Sequence, residues 1–284
     1  MEAFEKNSIY PVGFIDSGIG GLSVLRELKG LLSSGCYLYL ADSARAPYGT
    51  RSQNDLFQAL IEGAFFLKGR GARSIVVACN SLSIFSFDSL EKSLRIPVIG
   101  AVVPSVKRAA AKAKSKVLVM GTEATINSAI YQRKILELRP DLEVIGAPCG
   151  KLVDLVESGR WDGKDAVSEV AKTLQRYICD DIDTVVLGCT HFSFLSEMVY
   201  EIFEGTASVL DSSKEVAKAL LDMLNGSVMK KSSGSIFVTG DKNVFLKKAR
   251  RVLSNENFAI SDSKHLLGEV PLENRIQPVL LAAP

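Results

Sequence analysis

The sequence predicts an α/β protein made of two similar, doubly wound domains with mainly parallel sheets. Three observations predict it. A short apolar run ends abruptly in polar chemistry at Val185-Val186-Leu187-Gly188-Cys189-Thr190-His191, and the same shape occurs earlier at Ile75-Val76-Val77-Ala78-Cys79-Asn80-Ser81. Each reads as a buried strand delivering a thiol and hydrogen-bonding side chains at its carboxyl end. Before each cysteine another strand runs into a polar, glycine-containing turn, Val12 to Gly21 in one case and Val117 to Thr125 in the other. After each, at similar distance, comes Val98-Ile99-Gly100-Ala101 or Val209-Leu210-Asp211-Ser212. Duplicated halves of this kind can face each other across a shared site.

The elements follow in order. Tyr10–Ile15 reads as the first strand, and the turn Asp16-Ser17-Gly18-Ile19-Gly20-Gly21 opens a helix with apolar positions at Leu22, Leu25, Leu28, Leu31 and Leu32. Tyr37–Asp42 is a second strand. A loop with Pro47-Tyr48-Gly49 leads to an amphipathic helix over Ser52–Lys68, stopped by Gly69 and Gly71, before the Cys79 strand. This βαβαβ order is that of a parallel, doubly wound sheet. A helix over Ile84–Leu94, a strand over Pro97–Ala101 and a helix over Pro104–Lys114 lead into the second half. There the pattern gives strand Lys116–Gly121, helix Ile126–Leu138, strand Glu143–Ala147, helices Leu152–Glu157 and Lys164–Cys179, and the Cys189 strand. Val209–Asp211, a helix to Leu224, a polar break over Asn225–Gly234, a strand over Ser235–Gly240 and a final helix close the chain. The tail is expected to return to the first domain, because one half of about 110 residues would otherwise lack outer elements. The expected domains are residues 1–103 with 213–284, and residues 104–212.

Composition excludes several function classes. With 284 residues, 47% hydrophobic and 23% charged, the chain can bury a sizeable core. A net charge of +2 and the lack of a Lys/Arg stripe interleaved with aromatics give no sign of nucleic-acid binding; Ala109–Lys114 reads as a solvated helix face. No apolar run reaches the roughly eighteen residues of a membrane span, and Met1-Glu2-Ala3-Phe4-Glu5-Lys6 lacks the order of a signal peptide, so a cytoplasmic location is expected. The cysteines at 36, 79, 149, 179 and 189 are odd in number and form no CxxC pair, which argues against a disulfide framework or zinc knuckle and for reduced thiols.

The turn Gly18-Ile19-Gly20-Gly21 lacks GxGxxG spacing, and no GxxxxGK[ST] occurs, so nucleotide binding has little support. The glycines serve a tight strand-to-helix turn. An anion held there would be a carboxylate, met by backbone N–H groups and the Ser17 hydroxyl. Cys36, Cys149 and Cys179 read as small hydrophobes. Cys79 and Cys189 differ, because they stand among polar side chains where α/β sheets bind ligands, outside the carboxyl ends of strands. One such cysteine beside His191 suggests a nucleophile; two in matched settings suggest one thiol on each face of a flat, symmetric intermediate. The carbanion of an amino acid is such an intermediate. Racemisation needs a base on one face and an acid on the other, and a thiol with an ordinary pKa of about 8.5 can serve as either near neutrality when its surroundings tune it. His191 fits either an assistant in proton transfer to Cys189 or a packed imidazole, and the thiol beside it favours the first. His265, isolated in the tail, reads as structural or exposed.

The residues Gly13-Phe14-Ile15-Asp16-Ser17-Gly18-Ile19-Gly20-Gly21, Asp42 with Pro47-Tyr48-Gly49, Ala78-Cys79-Asn80-Ser81, Gly121-Thr122-Glu123-Ala124-Thr125, Gly188-Cys189-Thr190-His191-Phe192 and Phe237-Val238-Thr239-Gly240-Asp241 together resemble the glutamate racemases, within the aspartate/glutamate racemase superfamily. The resemblance covers nearly the whole chain in order. It implies a cofactor-independent, two-base enzyme that makes D-glutamate for peptidoglycan, with two α/β domains and the site between them. It further implies that Cys79 takes the α-proton from D-glutamate and Cys189 from L-glutamate. By the same resemblance Asp16, Ser17, Tyr48, Gly49, Asn80, Ser81, Thr122, Thr190 and His191 contact the substrate, with Asp16 and His191 also assisting catalysis and with Glu157 and Asp42 as weaker matches. Two carboxylates call for many donors and the ammonium for an acceptor such as Asp16, which agrees. No metal and no nucleic-acid or membrane partner is expected, and a homodimer stays open.

Two positions depart from the family's usual pattern: Ser81 stands where it has Thr, and Ser193 where it has Pro. A serine at 81 keeps the hydroxyl but loses a methyl that would fix its rotamer. Aspartate or another amino acid of the superfamily remains an alternative substrate, against which the Pro47-Tyr48-Gly49 loop argues. A non-catalytic amino-acid-binding or thiol-sensing protein is the alternative of a different class, and it would need no matched cysteines.

Overall fold

The computed structural model describes residues 11–31, 36–178, 181–224, 233–253 and 259–262. The central strands Val12–Asp16, Ser74–Val77 and Thr184–Leu187 are short apolar runs buried throughout, as parallel strands between helical layers are. Strand β1 (Val12–Asp16) is followed by α1 (Leu22–Leu31), β2 (Cys36–Ala41), α2 (Gln53–Gly69), β3 (Ser74–Val77), α3 (Asp88–Leu94) and β4 (Val98–Gly100). Helix α4 (Val102–Lys112) leads to β5 (Lys116–Gly121), α5 (Glu123–Asn127), α6 (Ile130–Leu138), β6 (Glu143–Pro148), α7 (Gly150–Glu157), α8 (Gly163–Leu174) and β7 (Thr184–Leu187). Then come α9 (Ser196–Ile202), β8 (Ser208–Asp211), α10 (Ser212–Met223), β9 (Ser233–Val238), α11 (Lys242–Val252) and β10 (Ala259–Asp262).

Two parallel sheets result. The first has the order β10-β9-β2-β1-β3-β4 and the second β6-β5-β7-β8. In register, Phe14 lies between Tyr39 and Val76 in the first sheet, and Leu118 beside Val185 in the second. Strands β3 and β7 thus hold equivalent places beside β1 and β5, and each stops just short of its cysteine. Alternate residues on each strand face opposite layers. Phe14, Val76, Leu118 and Val185 enter one continuous core with α1, α7 and α10, while Ile15, Val77, Val119 and Val186 enter the other with α2. Both cores contain residues of both sheets, so the halves are fixed to each other by apolar packing as well as by the site.

Several sequence expectations are corrected. The helix over Ile84–Leu94 starts at Asp88. Before it, the Ser83 hydroxyl donates to Val77 and Cys79 carbonyls and accepts the Ala101 N–H, so this stretch folds as side-chain-bonded turns. The helix over Ile126–Leu138 is two, broken at Ala129, whose φ of 52° is left-handed. Helix α8 ends at Leu174 with a 3-10 turn over Gln175–Tyr177, and Cys179 lies outside the described residues. The 3-10 turn Thr190–Leu195, helix α9 and strand β10 were not expected. In α4, Ala109 and Ala110 belong to the buried face. Tyr10, the polar break at 225–232 and His265 also lie outside the described residues.

Candidate active site

The carboxyl ends of β3 and β7 place Cys79 and Cys189 on the wall of one cavity of about 210 Å³. That is below the roughly 300–1,000 Å³ of sites for drug-sized ligands, and it suits a small metabolite. Both cysteines are more than nine-tenths buried. Ser17, Tyr48, Gly49, Ser81, Thr122, Thr190 and His191 line the same cavity. The structure therefore brings together residues from position 17 to position 191 of the chain.

Each wall has a local cause. Thr122 caps α5, its hydroxyl accepting from Thr125 N–H at 3.3 Å, and the same oxygen lies 2.9 Å from Ser81 Oγ. One pair of hydroxyls from the two halves thus closes one side. Tyr48 sits in the 3-10 turn Tyr48–Thr50, and its hydroxyl donates to the buried carboxylate of Asp42. Asp42 in turn accepts from Thr239 Oγ1 at 2.7 Å and pairs with Arg45, so it anchors the loop from behind. Gly49 permits this approach: a Cβ there would lie 2.6 Å from Thr122 Cβ.

Asp16 and Asn80 stand behind the wall. Asp16 is fully buried, accepts the Gly18 N–H at 3.0 Å and accepts from Thr190 Oγ1 at 3.3 Å. Asn80 accepts from Tyr131 OH at 2.7 Å and donates to Ser212 Oγ at 3.4 Å. The glycine turn does meet a carboxylate, but one from the chain itself: Glu157 Oε1 accepts the Ile19 N–H at 3.3 Å. A Cβ on Gly20 would lie 2.4 Å from Thr190 Oγ1, so this glycine serves close approach of the two halves.

Cys189 lies beside a chain of ionisable groups. Its Sγ is 3.6 Å from His191 Nδ1, and His191 Nε2 is 2.8 Å from Glu157 Oε1. Lys248 Nζ donates to the other oxygen, Glu157 Oε2, at 3.2 Å. Glu123, Gly150, Lys151, Val153 and Asp154 also line the cavity and were not singled out in the sequence. Their elements begin at the ends of β5 and β6, and that position was the available signal. Among the described residues no group of three or more His, Cys, Asp or Glu could hold a metal ion.

Residues 22–220 match the family model described as Asp/Glu/Hydantoin racemase. The glutamate racemase of Oceanobacillus iheyensis is 34% identical over 255 residues, covering 87% of this chain and 93% of that one. The chain belongs to this racemase family. Among solved structures, a glutamate racemase isoform from Bacillus anthracis superposes with a TM-score of 0.83 at 30% identity, over 89% of this chain and 97% of that one. Glutamate racemase from Francisella tularensis, solved in complex with D-glutamate, gives 0.82 at 29% identity, over 90% and 97%.

The electrostatics of this racemase divide its cavity into two unlike sides. Burial pushes the Cys79 thiol well above its ordinary pKa, and the charges of Asp16 and Cys189 add to this against weaker help from the Leu82 and Ser81 N–H groups. Burial also works against a charged His191, but its bonds and charge interactions with Cys189 and Glu157 win and raise its pKa well above the usual histidine value. For Glu157 burial raises the pKa, and the bond and charge of His191, with Lys248 and the Ile19 N–H, bring it down to about 2. Asp16 is raised by burial, opposed by His191 and by Gly18 and Gly21 N–H groups. A neutral thiol therefore rests at position 79, and an imidazolium–carboxylate pair stands behind Cys189. Cys149, by contrast, is pushed up to about 12, mainly by burial, and suits packing.

Proposed function

We propose that this racemase interconverts L- and D-glutamate by a cofactor-independent two-base mechanism, with Cys79 and Cys189 on opposite faces of the α-carbon. The observation that carries the proposal is the pair of buried thiols on one small cavity, each delivered by a strand of a different sheet. From L-glutamate, the Cys189 thiolate, steadied by the His191 imidazolium, takes the α-proton. The electron pair passes into the α-carboxylate as the carbon flattens, and the Cys79 thiol gives its proton to the other face. From D-glutamate the roles reverse.

The Ser17, Ser81, Thr122 and Thr190 hydroxyls supply donors for the two substrate carboxylates, and Lys151 a counter-charge on the wall. Asp16 works through Thr190 and through its charge on Cys79. Asn80 braces the turn after Cys79. Glutamate is favoured over aspartate by the Tyr48–Gly49 wall and by the activity named for the relatives. We assign residues 1–103 with 213–284 to one domain and 104–212 to the other, and D-glutamate supply for peptidoglycan in the cytoplasm as the role.

The test is α-hydrogen exchange and loss of optical rotation on L-glutamate in deuterated water, using dialysed protein with a chelator present. Exchange with racemisation is expected. Aspartate exchanging faster than glutamate would overturn the substrate assignment. A pyridoxal imine band, lost together with activity on borohydride treatment, would overturn the cofactor-independent mechanism.

A further inference from the structure

Lys248 lies on α11, far from the cavity in sequence and absent from its wall. Yet its ammonium ends a continuous series that reaches a reacting thiol: Lys248 Nζ to Glu157 Oε2 at 3.2 Å, Glu157 Oε1 to His191 Nε2 at 2.8 Å, and His191 Nδ1 to Cys189 Sγ at 3.6 Å. An ordinary surface ion pair contributes little. This one differs because its carboxylate is shared with a buried imidazole, and because the helix bearing the lysine is fixed at both levels. Phe245 and Ala249 bury the inner face of α11, with Phe245 against the Tyr39 ring at a centroid distance of 6.5 Å. One turn beyond Lys248, Arg251 donates to Gly159 O at 2.7 Å and to Asp162 Oδ2 at 3.0 Å and lies 4.1 Å over the Trp161 ring.

We propose that Lys248 is a positioning residue for the Cys189 side of the reaction, holding Glu157 so that its second oxygen fixes the His191 ring on the thiol. The proposal rests on the two-base reading above. A carboxylate gripped at one oxygen by an ammonium and at the other by an imidazole cannot rotate away, and the ammonium offsets part of its charge. Without Lys248, Glu157 Oε2 loses its ammonium partner and the carboxylate is held through Oε1 alone, by His191 Nε2 and the Ile19 N–H. Among the described residues, Cys189, Asp16 and Tyr39 also act on this pair, and none of them supplies a second cation.

The test compares Lys248→Met, Lys248→Arg and Arg251→Met with the wild-type enzyme. Because the equilibrium constant of a racemisation is 1, kcat/KM must fall equally in both directions, so direction is read from isotope effects. Lys248→Met is expected to lower kcat/KM roughly three- to tenfold. The α-deuterium isotope effect should rise for L-glutamate, whose proton goes to Cys189, and fall for D-glutamate. Lys248→Arg should restore most of the rate. The chain has two histidines, so ¹⁵N-histidine spectra, with His191→Asn as the reference, follow the His191 ring directly. Its signals should shift in Lys248→Met and stay in place in Arg251→Met, which loosens the same helix without touching Glu157. If Lys248→Met left the His191 signals and isotope effects unchanged, or Arg251→Met matched Lys248→Met in every readout, Lys248 would be a helix anchor alone. If Cys189→Ser itself racemised normally, the two-base reading would fail, a different result from either.

Discussion

The turn that carries Cys79 and the turn that carries Cys189 are built alike, each on a buried parallel strand beside the first strand of its sheet. Their surroundings are not alike. Near Cys79 stand the buried carboxyl of Asp16, the paired hydroxyls of Ser81 and Thr122, and two backbone N–H groups. Near Cys189 stands His191, backed by Glu157 and Lys248. The repeat supplies two matched thiols, and the packing of the two halves makes their surroundings differ. Asp16 and the Ile19 N–H reach the Cys189 side from the first sheet's own turn. The two thiols thus stand in unlike electrostatic surroundings, a buried carboxyl beside Cys79 and an imidazole–carboxylate pair beside Cys189.

The difference between the two sides rests most heavily on His191. His191→Asn removes the imidazole beside Cys189, and on the proposed mechanism turnover should fall roughly 10²- to 10³-fold with a small change in KM; a change confined to KM would make His191 a binding residue. On the opposite side, Ser81→Ala removes a hydroxyl facing the cavity and should act mainly through KM, by about tenfold or less, measured as initial rates over a glutamate series.

The Glu157–His191 pair also makes a pH prediction. Glu157 has a lowered folded-state pKa of about 2, so its contribution is present above the unfolded value near 4.5 and is lost as pH falls through about 2. His191 has a raised pKa, so its contribution is full below about 6.5 and is lost as pH rises through the folded value. Urea unfolding followed from pH 2 to 10 should therefore show a flatter stability curve at both ends in Glu157→Gln than in the wild type. An equally steep curve would remove the pair from the account. The smallest effect is expected at Ser193, whose hydroxyl donates to Asp211 Oδ1 at 2.6 Å and lies 2.8 Å from Ser213 Oγ. Ser193→Ala should cost about 1–2 kcal/mol of stability and little activity.

The strand-to-cysteine turns were legible because an apolar run followed by a thiol and polar side chains is a local pattern. So was the helical phasing that defines α1 and α2. Glu157 was a weak match and Lys248 was invisible, since their partners lie 34 and 91 residues away and the pairing depends on how α7 and α11 pack. The full burial of Asp16 beside Thr190 is not legible, since a buried carboxylate and an exposed one look identical in sequence. The Thr190–Leu195 turn, with Phe192 and Leu195 both buried, follows neither helical nor strand periodicity. Strand β10 is a four-residue edge element with no apolar run long enough to announce it.

If one thiol serves each face of the α-carbon, elimination from substrate analogues with a β-leaving group reports on each thiol separately, since elimination needs the base on one face alone. Cys79→Ser and Cys189→Ser should each lose nearly all racemisation of glutamate. With the D-configured analogue, Cys189→Ser should retain elimination and Cys79→Ser should lose it, and the L-analogue should reverse the order. Equal loss of elimination from both enantiomers in both variants, or racemisation near the wild-type rate in either, would contradict the account.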